Sequence, residues 1–135
     1  MRSIMKNIYA CPHCSTVLNP SVKILLVARH HDRRGMILLS PQPGNFKYGC
    51  DSSFEEGLEH GDLVAFSCPV CTLDLTSVSD HRFAELVLRS PGHGDRKVEF
   101  SRAFGTHATY VIDGQHAMAF GEDADDQDAT NFFGV

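Results

Sequence analysis

Cys11-Pro12-His13-Cys14 and Cys68-Pro69-Val70-Cys71 are the two stretches on which the reading of this chain turns. Each is a C-P-x-C turn, and one such turn alone is ambiguous between a metal knuckle, a redox dithiol and two ordinary buried cysteines. The pair narrows the choice. A tetrahedral ion such as Zn2+ takes four soft ligands, and two C-x-x-C turns deliver them as rigid clips whose backbone N–H groups also bond the sulfurs. Cys11, Cys14, Cys68 and Cys71 are therefore read as one four-cysteine zinc site. A redox dithiol would need a helix N-terminus at the turn to lower the thiol pKa, and no helical pattern follows either turn. Four thiolates close the coordination sphere, so the site reads as structural and the chain as a non-enzyme.

Strand patterns lead into both turns. Asn7-Ile8-Tyr9-Ala10 enters the first, Ser15-Thr16-Val17-Leu18 leaves it as the return of a small hairpin, and Asn19-Pro20 breaks that hairpin. Residues 22–29 are β-branched and apolar on both faces, which predicts a well-covered strand. The rival framing is a helix with Asn19 as N-cap and Pro20 behind it, but the apolar residues do not gather on one helical stripe. A turn over 30–35, a returning strand over 35–40 and a shorter strand within 45–51, with Phe46 and Tyr48 on one face, follow. Residues 52–61 are polar and broken twice by glycine, so at most one helical turn is expected there. Residues 62–67 run as a strand into Cys68.

The gap between Cys14 and Cys68 is 53 residues. Lengthening a loop from about 20 to about 53 residues costs only roughly 0.9 kcal/mol, whereas structural zinc supplies on the order of 10 kcal/mol. Residues 22–67 are thus expected to fold as a β insert of two or three strands clamped at both ends. Beyond the second turn, 81–89 and 97–101 read as strands. Residues 106–112 and 115–120, joined at Asp113-Gly114, read as a hairpin in which His107 and His116 approach each other across the strands. The expected fold is mostly β: one zinc-binding domain over 1–121, with the insert followed by an antiparallel meander over 81–121. An acidic tail is expected over 122–135, where Phe132 and Phe133 fold back or serve a partner.

Two C-P-x-C knuckles, each entered by a strand in a β-rich chain, resemble the zinc-ribbon class, and the knuckles themselves resemble those of rubredoxins. The likeness covers residues 8–75 and no specific family is identified by it. It implies a zinc-ribbon fold with the four cysteines as ligands. The rubredoxin side implies the alternative of one iron in an electron carrier, although those proteins are shorter and pack aromatic residues tightly at the metal. Zinc ribbons serve many processes, so the class assigns no activity.

Composition bounds the rest. The hydrophobic share of 42% and charged share of 21% suit a globular domain, and the longest apolar run, Ile24 to Ala28, is too short to cross a bilayer. No secretory pattern is seen over residues 1–7, and the expected location is cytoplasmic. Five cysteines there point to metal or free thiols, with the fifth, Cys50, read as a small buried hydrophobe. Residues 1–50 carry a net charge of +6 and the remainder −11. The leading functional expectation is a protein-interaction or regulatory module with an unidentified protein partner. A nucleic-acid contact through the turn residues Arg29, Arg33 and Arg34 is the alternative, disfavoured by the overall charge of −5. His30-His31-Asp32 has metal-ligand residue types, but neighbours on a strand point to opposite faces, so an exposed turn is expected.

Overall fold

The β-branched run after the first knuckle does form a strand. In the computed structural model, which describes residues 7–92 and 94–124, Ile24–His30 (β2) pairs antiparallel with Arg33–Leu39 (β3) along its whole length, from Ile24 opposite Leu39 to His30 opposite Arg33. The turn between them is only His31-Asp32, with His31 at φ 58°. It is shorter than expected from composition, so Arg33, Arg34 and Gly35 belong to the strand. Tyr48–Cys50 (β4) pairs with the far side of β3, and Ala65–Ser67 (β5) with the far side of β2. The insert is therefore a sheet of four strands, β4-β3-β2-β5, one more than the upper expectation. Between β4 and β5 a single helical turn, Ser52–Glu55 (α1), starts at Asp51, whose carboxylate accepts from the Ser53 N–H. Its Phe54 is buried against Gly35.

The second half of the chain forms the meander: Phe83–Arg89 (β6), Asp95–Ser101 (β7), Thr109–Asp113 (β8) and His116–Phe120 (β9), each antiparallel to the next. Ile8–Ala10 (β1) adds to its edge beside β6, giving a sheet of order β1-β6-β7-β8-β9. Asp113 pairs with His116, so the hairpin turn is Gly114-Gln115, one residue later than expected, with Gly114 at φ 61°. This register also separates the two histidines expected to meet. His116 sits at the turn, whereas His107 lies before β8 and meets the chain after β9. There its backbone N–H donates to the Asp123 carboxylate at 2.8 Å, and its Nδ1 lies 3.2 Å from Glu122 Oε1. The acidic stretch thus begins folded back; the remainder of the expected tail, with Phe132 and Phe133, lies outside the described residues.

The period-2 alternation of the strands turns one face of each sheet toward the other. Ile24, Leu26, Ala28, Ile37 and Phe66 meet Tyr9, Ala84, Leu86, Leu88, Val98 and Val111 in one core. The sheets do not close completely on each other: a cavity of about 350 Å³ remains between them. Their outer faces differ. On the five-stranded sheet Phe83, Tyr110 and Ile112 are buried, and Phe83 and Tyr110 meet edge to face at 5.6 Å. On the four-stranded sheet Leu25 and Val27 are half-buried, while Met36 and Leu38 opposite them are 45% and 40% exposed. The expectation that residues 22–29 are well covered is corrected by this open face. Among the described residues, the apolar side chains on both sides of β2 meet another layer on one side only.

Candidate metal centre

Each sheet delivers one knuckle. β1, on the five-stranded sheet, runs into Cys11, and β5, on the four-stranded sheet, runs into Cys68. The two turns have the same backbone. Cys11 N–H donates to the Thr16 carbonyl at 3.0 Å and Ser15 N–H to the Cys11 carbonyl at 2.9 Å; in the second turn Cys68 N–H donates to Leu73 at 3.2 Å and Thr72 N–H to Cys68 at 3.0 Å. Single bridges, Ala10 with Val17 and Ser67 with Asp74, close the two small hairpins. The sulfurs are bonded alike: His13 N–H donates to Cys11 Sγ and Val70 N–H to Cys68 Sγ, each at 3.3 Å, and Cys71 N–H adds a second bond to Cys68 Sγ at 3.4 Å. N–H groups aimed at sulfur stabilise the thiolate form that a metal requires.

One common feature of the turns was not legible. The residue after the second cysteine is left-handed in both, Ser15 at φ 65° and Thr72 at φ 66°. Glycine is the usual occupant of such a position, and its absence removes the only signal a sequence could offer.

The four Sγ atoms lie within 4.8 Å of one another, with Cys11–Cys71 and Cys14–Cys68 both at 3.7 Å. A tetrahedron of sulfurs about 2.3 Å from a central zinc has edges of about 3.8 Å, so the donor set fits such an ion in chemistry and in size. Both short edges run between knuckles, which means an ion held here ties one sheet to the other. Cys11 and Cys68 are buried, Cys71 is half-buried and Cys14 is exposed. Their acidities diverge accordingly. Burial pushes the Cys11 thiol up to about 12, whereas the Thr16 hydroxyl, 3.1 Å from Cys14 Sγ, draws that thiol down to about 6. The exposed edge of the cluster is the one already disposed to hold a thiolate.

Asn19 supports the first knuckle from behind. Fully buried, it accepts from Tyr9 N–H at 2.8 Å through Oδ1 and donates to the Asn7 carbonyl at 2.9 Å. The sequence reading offered it as a breaker before Pro20 or as the N-cap of a rival helix, and neither is its role. His13 Nε2 lies 3.1 Å from the Asp74 carbonyl oxygen, a second link between the knuckles.

The remaining candidates are dispersed. Arg29 and Arg34 stand directly opposite each other on the open face of the four-stranded sheet. Arg33 falls on the other face and donates from Nη1 to the Ser53 carbonyl at 2.6 Å. His30 pairs with Asp62 at 3.6 Å and its ring lies 4.2 Å from that of His31. Cys50 is outside the cluster: it is half-buried on the core, where burial pushes its thiol up. Among the described residues no helix is long and apolar enough to cross a membrane.

No protein-family model matches the chain, and neither the curated proteins nor the solved structures compared with it contain a match. The molecule is a small β protein whose two sheets meet at a four-cysteine cluster able to coordinate a metal ion, of the rubredoxin-like and zinc-ribbon knuckle type.

Proposed function

We propose that Cys11, Cys14, Cys68 and Cys71 hold one Zn2+ as a structural clamp in a non-enzymatic module that works by protein contact. Four sulfurs leave a zinc ion no open position for water or substrate, which fits a clamp. The observation that carries the interaction reading is the open face of the four-stranded sheet. Leu25, Val27, Met36 and Leu38 form two adjacent cross-strand rows there, Leu25 opposite Leu38 and Val27 opposite Met36. A contiguous apolar patch on a sheet rimmed by charge marks a contact surface, and Arg29 with Arg34 supplies the rim, suited to a partner that is acidic beside its apolar anchor. The test uses chain purified without added metal. About one zinc per colourless chain is expected; one iron with a red colour would assign the electron-carrier alternative. Cross-linking in a lysate should then yield a protein bound by wild type and lost by Met36→Lys with Leu38→Lys, a variant expected to keep its zinc. Identical cross-links from both would remove this face from the reading.

The pairing of Arg29 with Arg34 supports a second reading. Like charges directly opposite each other on a sheet repel, and a phosphate anion would relieve that repulsion. Under this reading single-stranded RNA binds, weakens steeply with salt, and is lost in Arg29→Glu with Arg34→Glu but not in Arg33→Glu.

A further inference from the structure

The cavity between the sheets has the composition of a binding site. Protein interiors pack close to crystal density, and voids larger than a few waters are unusual in them. This one measures about 350 Å³, within the range of small-molecule pockets. Its walls come from both sheets and from α1: Ile24 and Ile37 on one side, Leu86, Val98 and Phe100 on the other, with Phe54 between. Ile24, Ile37, Leu86, Val98 and Phe54 are each less than 9% exposed, so the floor of the space is core, while Gln42, Asn45, Lys47 and Tyr48 on its lining are exposed and its mouth opens to solvent.

Two segments that are far apart in sequence, 42–48 and 101–107, contribute much of the rest of the lining. They meet at the stack of Phe46 on His107, with ring centroids 4.7 Å apart and planes within 7°, and at the edge contact of Tyr48 with Phe104. Gly121, at φ 106°, allows the stack: a Cβ there would lie 2.7 Å from the Phe46 ring and 2.2 Å from the His107 carbonyl oxygen. Phe46 and His107 both lie outside the strands, so their ring contact can part without breaking a sheet, whereas Tyr48 is held in β4.

Charge distinguishes the ligand. The lining includes Lys47, Arg102 and His107 and no acid. Two of these side chains are already engaged: Arg102 donates to the Val64 and His81 carbonyls, and His107 lies against Glu122. Lys47 has no ion pair among the described residues and is exposed. An apolar chamber with a cation at its margin complements an amphipathic anion, its hydrocarbon inside and its carboxylate toward Lys47. Size sets the chain length. An apolar cavity of about 150 Å³ holds benzene, about 25 Å³ per carbon, and at that density 350 Å³ accepts about fourteen heavy atoms.

The geometry points to a binding site for a medium-chain aliphatic carboxylate in the space between the two sheets, independent of whatever docks on the outer face. The probe is sodium decanoate below its micellar concentration, titrated calorimetrically into the full zinc-loaded chain, with decanol and decyltrimethylammonium as the neutral and cationic counterparts. Decanoate is expected to bind one to one and about tenfold more tightly than decanol, the increment of one charge contact. Decyltrimethylammonium is expected to be weakest. Val98→Phe and Ile37→Phe, made separately, fill the space and should abolish decanoate binding while circular dichroism and zinc content are retained. Lys47→Glu, on the surface and harmless to the fold, should reduce decanoate affinity to that of decanol or below and leave decanol unchanged. Met36→Lys with Leu38→Lys should leave decanoate binding intact, separating this site from the outer face. No decanoate binding by wild type, equal affinity for the three amphiphiles, or undiminished binding in both filled variants would overturn the assignment.

Discussion

The two sheets are built from the same material and end in different situations. Both bury one apolar face in the shared core and both carry apolar residues on the other. The outer face of the five-stranded sheet buries Phe83, Tyr110 and Ile112, whereas that of the four-stranded sheet leaves Met36 and Leu38 close to half exposed. Even the polar insertions follow this division. Glu99, wholly inaccessible in the middle of the five-stranded sheet, accepts a bond from the Ser77 hydroxyl through Oε2 and lies 3.8 Å from Lys97 Nζ, while its Oε1 has no hydrogen-bond partner among the described residues. The charged counterparts on the four-stranded sheet, Arg29 and Arg34, stay in solvent. An alternating pattern states which residues share a face; it does not state whether another layer will arrive to cover that face.

The largest test of the comparison is to separate the two sheets. Cys68→Ser removes a buried ligand and leaves a buried hydroxyl, so it should abolish metal retention and cooperative unfolding together. The expected loss, on the order of 10 kcal/mol, is as large as the stability of an ordinary domain. Cys14→Ser, at the exposed corner, should release metal more readily to a chelator yet keep more of the fold. Equal collapse of the two variants, followed by chelator titration and circular dichroism, would mean burial does not grade the ligands.

Outer-face truncations probe the contrast directly. Ile112→Ala should cost about 2–5 kcal/mol in urea unfolding, as buried isoleucines do. Leu38→Ala, from the opposite sheet, should cost no more than about 1 kcal/mol because much of that side chain is already in water. Similar costs at the two positions would show that the faces are equally covered in solution.

Glu99 gives the comparison a pH dependence. Burial raises its carboxyl above the ordinary 4.5, with the Ser77 bond and Lys97 opposing. A carboxyl raised on folding favours the native state most below its unfolded pKa, and that contribution is lost as pH rises through the folded value. Glu99→Gln should therefore be more stable than wild type at pH 7, by on the order of 1 kcal/mol. The difference between the two proteins should shrink toward pH 4.5, in urea midpoints measured pairwise so that metal effects cancel. A pH-independent difference would contradict the sign.

The smallest effect lies at the knuckles, where the sheets are alike. Thr72→Gly relieves a β-branched residue held left-handed, which costs about 1–2 kcal/mol. Against the chain entropy added by glycine the net gain should be about 0.5 kcal/mol, with Ser15→Gly gaining less. A loss of stability at either position would show that the hydroxyl matters to the site more than the backbone does.

What could be read beforehand follows the range of each interaction. The knuckles were legible because C-P-x-C specifies its geometry within four residues, and the strands because alternation and turn residues are local. The hairpin at Asp113-Gly114 was found to within one position for the same reason. The turn at His31-Asp32 was read too long, and this error alone grouped Arg33 with Arg29 and Arg34. One step of strand register places its side chain on the opposite face. Asn19 looked like a hairpin breaker because its two bonds go to backbone groups that only the folded knuckle brings near. The cavity had no signal at all: its walls come from segments as distant as Ile24 and Phe100, and a gap between layers has no pattern within either.

The connection of β1 sets an order of events during synthesis. Among the described residues its only strand partner is β6, with Ile8 opposite Arg89, so the edge of the five-stranded sheet cannot form until most of the chain has been made. The four sulfurs are complete much earlier, at residue 71, directly after the whole four-stranded sheet. If the cluster holds a metal as proposed, a nascent chain can thus capture an ion while the meander is still being translated. Such an ion would shorten the search of β1 for its neighbour, because the strand would already be tethered beside the folded insert when β6 emerges.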